Sequence, residues 1–305
     1  MSTWDYAQCA YGLIERAYLV DACPFCRAQL KKLDPPTDHE CLGYLTEVRV
    51  GICQICGWWN ARGEARERID HYSTAVYELG SFGVLKNLDL TEVETPLQEV
   101  RDYLMAKYED RLQMDPRLFE LTVGSVFADH GYVAEVTAYS GDGGIDVILS
   151  TGEKRIGVQV KRWKNKVEAT QIHSLMGAMV LAGLTKGMFV TTSSFRSGAV
   201  EDADRFSALG TPIELLDAPR FFDALRISQT KVDRSTGEWI ETARPNPHPA
   251  CSKAPWYSGP CRERLENDRA FRPARSRPVH VNIEARAEFN YCTDDDGKRV
   301  YVLSL

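Results

Sequence analysis

The sequence predicts an α/β chain in which a mixed central sheet is flanked by helices, preceded by a cysteine-bearing module and followed by a small β-rich extension. Three observations predict it. Helix-like and strand-like segments alternate from Pro116 to Ile227, two Cys-x-x-Cys pairs stand upstream, and two short strand-like runs close the chain. At 305 residues there is enough sequence for two or three cores. The composition divides it into 1–92, 93–228 and 229–305.

The first segment is set by its cysteines. Cys23-Pro24-Phe25-Cys26 and Cys53-Gln54-Ile55-Cys56 form two knuckles able to offer four thiolates to a tetrahedral Zn²⁺. The pair resembles a zinc ribbon. A closed four-cysteine shell leaves no position for a reacting water, so the metal is read as structural, fastening a module with little apolar core of its own. His39 and Cys41 lie between the knuckles and lack two further ligands at suitable spacing. Trp58 and Trp59 follow the second knuckle and suit either base stacking or packing against the module. The run RERIDHYSTAVYEL includes a strand, and a helical connector covers Leu97 to Gln113.

In PRLFELTVGSVFADHGY, Leu118, Leu121, Val126 and Phe127 supply an apolar helical face, with Pro116 suited to the first turn. This helix carries Glu120. GDGGIDVILS, TGEKR and IGVQVKRW then read as strand, turn, strand, with Gly141, Gly143 and Gly144 allowing a tight approach before Asp146. Alternation places Val158, Val160 and Arg162 on one face of the second strand and Gln159, Lys161 and Trp163 on the other. Antiparallel pairing brings Asp146 beside Gln159 and Lys161.

Farther on, Ile172, Leu175, Met176, Met179 and Val180 recur at helical spacing within Gln171 to Leu184, where Gly177 and Ala178 read as small residues for close packing. MFVTT after Gly187 reads as a buried strand. A helix from Ser197 to Leu209, the strand PIELL and a short helix from Asp217 to Ile227 complete the alternation. None of this is a glycine-rich nucleotide site.

The chemistry converges on Asp146. Phosphodiester hydrolysis needs an activated water and a counter to growing negative charge, and a carboxylate-bound Mg²⁺, with Mn²⁺ as substitute, supplies both. Asp146 is the natural ligand and Gln159 adds a neutral oxygen. Since Gln brings no charge, a second carboxylate is needed, and Glu120 is the best candidate. Lys161 is suited to orienting or deprotonating the water and to offsetting phosphate charge.

Phe119-Glu120, Gly131-Tyr132, Gly141 through Asp146, Gln159 through Arg162, and Lys186 through Thr192 together resemble the Mrr-type restriction endonuclease catalytic domain, a branch of the PD-(D/E)xK nuclease superfamily. The likeness covers roughly residues 100 to 228. It implies a restriction-endonuclease-like sheet with Glu120 on the first helix, Asp146 at the central metal site, and Gln159 and Lys161 on the following strand. Gln159 stands where the wider superfamily often has an acid, and Mrr-like enzymes commonly use Gln there. The resemblance implies a metal-dependent DNA endonuclease restricting foreign, modified or phage DNA.

Arg162, Lys164 and Lys166 are candidates for phosphate contact, and Gln171 and His173 for contact with DNA. Thr191, Thr192 and Ser193 sit at a strand end within reach of a phosphate, whereas Asp142 suits stabilising the glycine-rich turn. The net charge of −6 argues against coating DNA by charge alone, although charge distribution and a divalent metal can offset it.

Beyond Ile227, Thr242 to Arg277 is proline-rich and reads as an extended linker. Six Arg against Glu263, Glu266 and Asp268 give Arg262 to Arg277 a local balance of plus three, suited to phosphate, to an acidic protein surface or to a solvated connector. VHVNIEARAEFNY and RVYVLSL form the small antiparallel unit around a DDDGK turn.

Nine Cys without a signal-like apolar run favour a reducing, cytoplasmic setting. No stretch approaches the roughly twenty apolar residues of a membrane crossing. The partners implied are DNA, a second copy in a homodimer or higher oligomer, and a defence-system protein. Two other readings suit the same residues: a repair or junction nuclease, and a nonenzymatic zinc-containing module that binds DNA or protein on a nuclease scaffold.

Overall fold

The computed structural model describes residues 3–10, 21–32, 37–41, 44–68, 74–137, 144–232, 234, 289–293 and 299–303. Two compact units result, one of residues 87–232 and one joining 2–86 to 233–305.

The cysteine-bearing unit is built on an antiparallel six-stranded sheet. Its strands are β1 (Trp4–Ala10), β2 (Lys31–Lys32), β3 (Thr37–Cys41), β4 (Tyr44–Ile52), β5 (Trp59–Arg68) and β6 (Thr74–Leu85). They run in the order β1-β6-β5-β4-β2, with β3 also on β4. The strand expected in RERIDHYSTAVYEL proves to be the end of β5 and the start of β6. This sheet is larger than the small module that the knuckles alone suggested.

Each knuckle is the turn between two antiparallel partners in the same register, Ala22 opposite Gln29 and Ile52 opposite Trp59. Backbone bonds repeat as well: Cys23 N–H donates to Ala28 O and Cys53 N–H to Trp58 O, while Arg27 and Gly57 N–H return to the carbonyls of Cys23 and Cys53. Arg27 and Gly57 both have positive φ, 57° and 74°.

Trp58 and Trp59 are 3% and 0% exposed, and the Trp58 indole donates to Gly83 O. They pack inside the module, so the base-stacking reading is set aside. His39 and Cys41 lie on β3, where side chains fall outside the described residues. Strands β12 (Phe289–Thr293) and β13 (Arg299–Leu303) pair antiparallel, as expected of the C-terminal extension. The proline- and arginine-rich stretch before them lies outside the described residues.

The second unit has a five-stranded mixed sheet in the order β11-β10-β9-β8-β7. Strands β7 (Val133–Val136), β8 (Val147–Thr151) and β9 (Lys154–Lys161) are antiparallel neighbours, whereas β10 (Gly187–Thr191) and β11 (Ile213–Leu216) run parallel to β9. Helices α1 (Leu97–Ala106), α2 (Pro116–Asp129) and α5 (Ala218–Gln229) pack together on one side. Helices α3 (Ala169–Leu181) and α4 (Ser197–Ala208) cover the other. Cover on both faces explains why Gly157, Val158, Gln159 and Val160 are all buried along β9 despite strand alternation.

The second face has a continuous apolar core of Ile145, Ile172, Leu175, Met179, Leu184, Phe189 and Ile213. Two details depart from expectation. Val180 is 67% exposed, and Gly177 has open space where a side chain would stand. The buried stripe of α3 runs through Ile172, Leu175, Ala178 and Met179, leaving both outside it.

The connector is α1 followed by a 3-10 helix, Tyr108–Leu112. Behind it, Arg101 reaches Asp129 and Ser228, while Gln229 donates to Asp102, tying α1, α2 and α5 by polar contacts. Among the described residues, no helix is long and apolar enough to cross a membrane.

Candidate active site

The hairpin β8-β9 builds the site. Its two-residue turn, Gly152-Glu153, sets Thr151 opposite Lys154 and, at the other end, Val147 opposite Val158. Asp146 lies just before β8. Its N–H donates to Val158 O at 2.8 Å. Its carboxylate Oδ2 accepts the Val160 N–H at 2.7 Å and stands 3.6 Å from Lys161 Nζ. Asp146 thus meets the end of β9 at Val158, Val160 and Lys161.

Gln159 is 7% exposed, with its carbonyl Oε1 buried and without a hydrogen-bond partner among the described residues. A side-chain acceptor in that state is normally satisfied by a donor, a water or a cation. Gly144 has φ +107°, and a Cβ there would lie 3.0 Å from Gln159 Nε2. Both the backbone and the amide beside it therefore call for glycine. Gly141, Asp142 and Gly143 fall outside the described residues.

Helix α2 supplies Glu120. Asp115 caps it, accepting from the N–H groups of Arg117 and Leu118. Glu120 Oε2 accepts from Arg117 Nη1 at 2.9 Å. Burial raises the Glu120 carboxyl above the usual range; the Arg117 hydrogen bond opposes that rise, and the Asp146 charge adds to it. Lys161 acts on the same group in the opposite direction to Asp146. Glu120, Asp146 and Lys161 therefore act on one another, and Gln159 stands two residues before Lys161 on β9.

Two carboxylates and an amide oxygen are hard oxygen donors, the chemistry that Mg²⁺ and Mn²⁺ prefer. The unpartnered Gln159 Oε1 is the observation that such a cation fits.

The remaining candidates separate. Arg162 gives Nη1 to Leu112 O at 2.6 Å. Gln171 accepts the Glu168 N–H in the cap of α3. His173 pairs with Asp202 at 2.6 Å between α3 and α4. Lys164 and Lys166 are exposed. The hydroxyls of Thr191, Thr192 and Ser193 donate to the carbonyls of Lys161, Trp163 and Lys164, bracing the loop after Lys161.

Arg117 and Thr137 were missed by sequence reasoning. Arg117 stands three residues before Glu120, a helical neighbour spacing that could have drawn notice; Thr137 offers no such signal.

Four cysteines make the other cluster. The ligand atoms of Cys23, Cys26, Cys53 and Cys56 lie within 4.8 Å of one another, and the Cys23 and Cys56 sulfurs are 3.5 Å apart. A tetrahedral zinc with Zn–S of about 2.3 Å sets its sulfurs roughly 3.8 Å apart. Trp4 caps the second knuckle, its indole donating to Cys56 O at 2.8 Å.

Residues 111–225 match the restriction endonuclease family model Mrr_cat. This Mrr-type stretch runs from the 3-10 helix into α5 and contains Glu120, Asp146, Gln159 and Lys161. The chain is 34% identical over 116 residues to the type IV methyl-directed restriction enzyme EcoKMrr of Escherichia coli (strain K12), spanning 35% of this chain and 38% of that protein. It is 33% identical over 105 residues to the uncharacterized protein y4cE of Sinorhizobium fredii (strain NBRC 101917 / NGR234), spanning 32% and 27%. Both matches cover well under half of the relatives' length.

Among solved structures, the DNA modification-dependent restriction endonuclease AspBHI matches with a TM-score of 0.26 and 13% identity, covering 55% of this chain and 58% of that one. So distant a likeness carries no weight beside the Mrr-type motifs.

Proposed function

We propose that the chain is a Mg²⁺-dependent DNA endonuclease that hydrolyses phosphodiester bonds in the restriction of foreign, modified or phage DNA. The observation that carries this reading is the β8-β9 hairpin, where Asp146 is held between the Val160 amide and Lys161 while Gln159 offers an unpartnered buried oxygen.

Glu120, Asp146 and Gln159 hold the cation in this reading. A bound Mg²⁺ supplies Lewis-acid stabilisation of phosphate charge and a lowered barrier for ionising water. Lys161 presents N–H donors beside Asp146, orienting the attacking water and meeting charge on the non-bridging phosphate oxygens. Water oxygen bonds to phosphorus as its proton passes to solvent, the bond to the leaving oxygen breaks, and that oxygen takes a proton from solvent. Lys164 and Lys166, exposed beyond Lys161, suit DNA phosphates.

Cys23, Cys26, Cys53 and Cys56 hold a structural Zn²⁺ in a module of residues 1–92, followed along the chain by a nuclease domain of 93–228 and an extension of 229–305. A reducing, cytoplasmic setting keeps those thiols available. A homodimer, or a defence-system protein partner, would supply the second active site or the target recognition that two-strand restriction requires.

The test is cleavage by zinc-replete full-length protein of unmodified plasmid, methylated plasmid, a four-way junction and its matched duplex, with Mg²⁺ or Mn²⁺. Metal-dependent cutting of the methylated or unmodified duplex supports restriction. Preference for the junction replaces it with a repair role, and binding without cutting replaces it with a nonenzymatic one.

A further inference from the structure

We propose that Arg117 is a positioning residue for the divalent-cation site, fixing Glu120 relative to the strand end that carries Asp146. This rests on the reading above that Glu120 and Asp146 share a cation.

The two carboxylates come from separate elements, Glu120 from helix α2 and Asp146 from the entry to β8. Arg117 Nη1 joins them by donating to Glu120 Oε2 at 2.9 Å and to Thr137 O at 2.8 Å. Thr137 follows β7 and passes the contact on. Its hydroxyl lies 2.9 Å from Ile145 O and 3.1 Å from Asp146 O, and its N–H donates to Asp146 O at 3.0 Å. An unbroken set of hydrogen bonds thus runs from the Glu120 carboxylate to the Asp146 backbone.

The i,i+3 pair with Glu120 favours the helix only slightly. A positive side chain in the first turn of α2 opposes the helix dipole, whose N-terminal end favours negative charge. The tertiary bonds supply its purpose. With the guanidinium side chain only 19% exposed, the pair is sheltered from much of the screening that weakens surface ion pairs. Glu120 consequently loses rotamer freedom before a cation arrives, so less ordering remains to be done on binding.

Mn²⁺ binding to zinc-replete, DNA-free full-length protein, followed by electron paramagnetic resonance, tests the proposal without using activity. The proteins compared are wild type, Arg117→Met, Arg117→Lys, Thr137→Val and Asp146→Asn. Arg117→Met is expected to weaken Mn²⁺ binding at least tenfold with helical content retained, and Arg117→Lys to recover part of the loss. Thr137→Val, which keeps the Arg117 partners and removes only the hydroxyl relay, is expected to weaken binding about threefold and serves if Arg117→Met does not fold.

A second readout is the Mg²⁺ dependence of cleavage: Arg117→Met raises half-saturation while the rate at saturating Mg²⁺ stays near that of wild type. Wild-type Mn²⁺ affinity in Arg117→Met, or in Thr137→Val where the arginine variant is unfolded, overturns the role of Arg117. Equal binding by wild type and Asp146→Asn overturns the cation site itself, and this inference with it. Loss of binding in Asp146→Asn alone leaves the site standing and removes Arg117 from it.

Discussion

Asp146 accepts the backbone N–H of Val160 at 2.7 Å through Oδ2, the same oxygen that stands 3.6 Å from Lys161 Nζ. One carboxylate thereby fixes the end of β9 and receives the side chain that follows. Its removal would disturb both fold and charge, so the informative substitution keeps the acceptor and removes only the charge.

Asp146→Asn is therefore expected to fold, since an amide oxygen still accepts from Val160, and to lose at least about 10²-fold in Mg²⁺-dependent cleavage. Far-UV circular dichroism and single-turnover cleavage check the two halves. A retained rate places the cation elsewhere.

Gln159→Leu separates function from stability. It removes an unpartnered buried acceptor, whose burial without a partner costs about 1–3 kcal/mol, so the melting temperature is expected to hold or rise. Metal affinity is expected to fall about tenfold. A fall in stability with unchanged metal affinity would make Gln159 a structural residue.

Gly144→Ala is expected to destabilise the nuclease unit by about 1–3 kcal/mol through backbone strain and to push against Gln159 Nε2. Gly152→Ala is the control, because that glycine also has positive φ but no atom lies within 4 Å of its added Cβ. Urea unfolding of both should show the larger loss at Gly144; equal losses would mean that the amide contact does not matter.

Glu120 gives a pH prediction. Burial raises its folded-state carboxyl pKa, so the folded protein holds a proton that the unfolded chain has already released. Stability from this group then declines as pH rises from the ordinary carboxylate range through the raised value, and the penalty persists at neutral pH. Glu120→Gln should be more stable than wild type at pH 7, with the difference shrinking on acidification. Metal affinity in wild type should fall on the acid side as Glu120 protonates. An unchanged stability difference from pH 7 to pH 4 contradicts this.

Zinc removal should act on the cysteine unit. Trp4, Trp58 and Trp59 are buried there, so chelation is expected to release one zinc per chain and shift tryptophan emission to the red. Cys53→Ser should reproduce the shift. Protein purified with less than a tenth of an equivalent of zinc, yet with the same emission, rules out the structural metal.

The hairpin was legible because glycine marked the turn and apolar residues alternated with polar ones along β9. Glu120 was legible as a polar residue on an apolar helix. Arg117 was not, because Thr137 lies twenty residues away and only folding brings the two together. β7 was missed for a related reason: VAEV is short, occupies the sheet edge, and leaves Val133 74% exposed, giving little burial pattern to read. The amino-terminal sheet was hidden in strands such as WNARGEARER, whose composition is polar and whose pairing joins distant segments, β1 with β6. The α3 periodicity was read one residue too broadly, which is why Val180 proved to face outward.

The most direct measurement is cleavage of supercoiled plasmid, unmodified and methylated, by intact protein and by Asp146→Ala at matched concentration with and without Mg²⁺. Cutting by the intact protein alone, and only with the cation, is the expected result. Equal cutting by both proteins, or none by either across plasmid forms and divalent metals, contradicts catalysis by Asp146 in this chain.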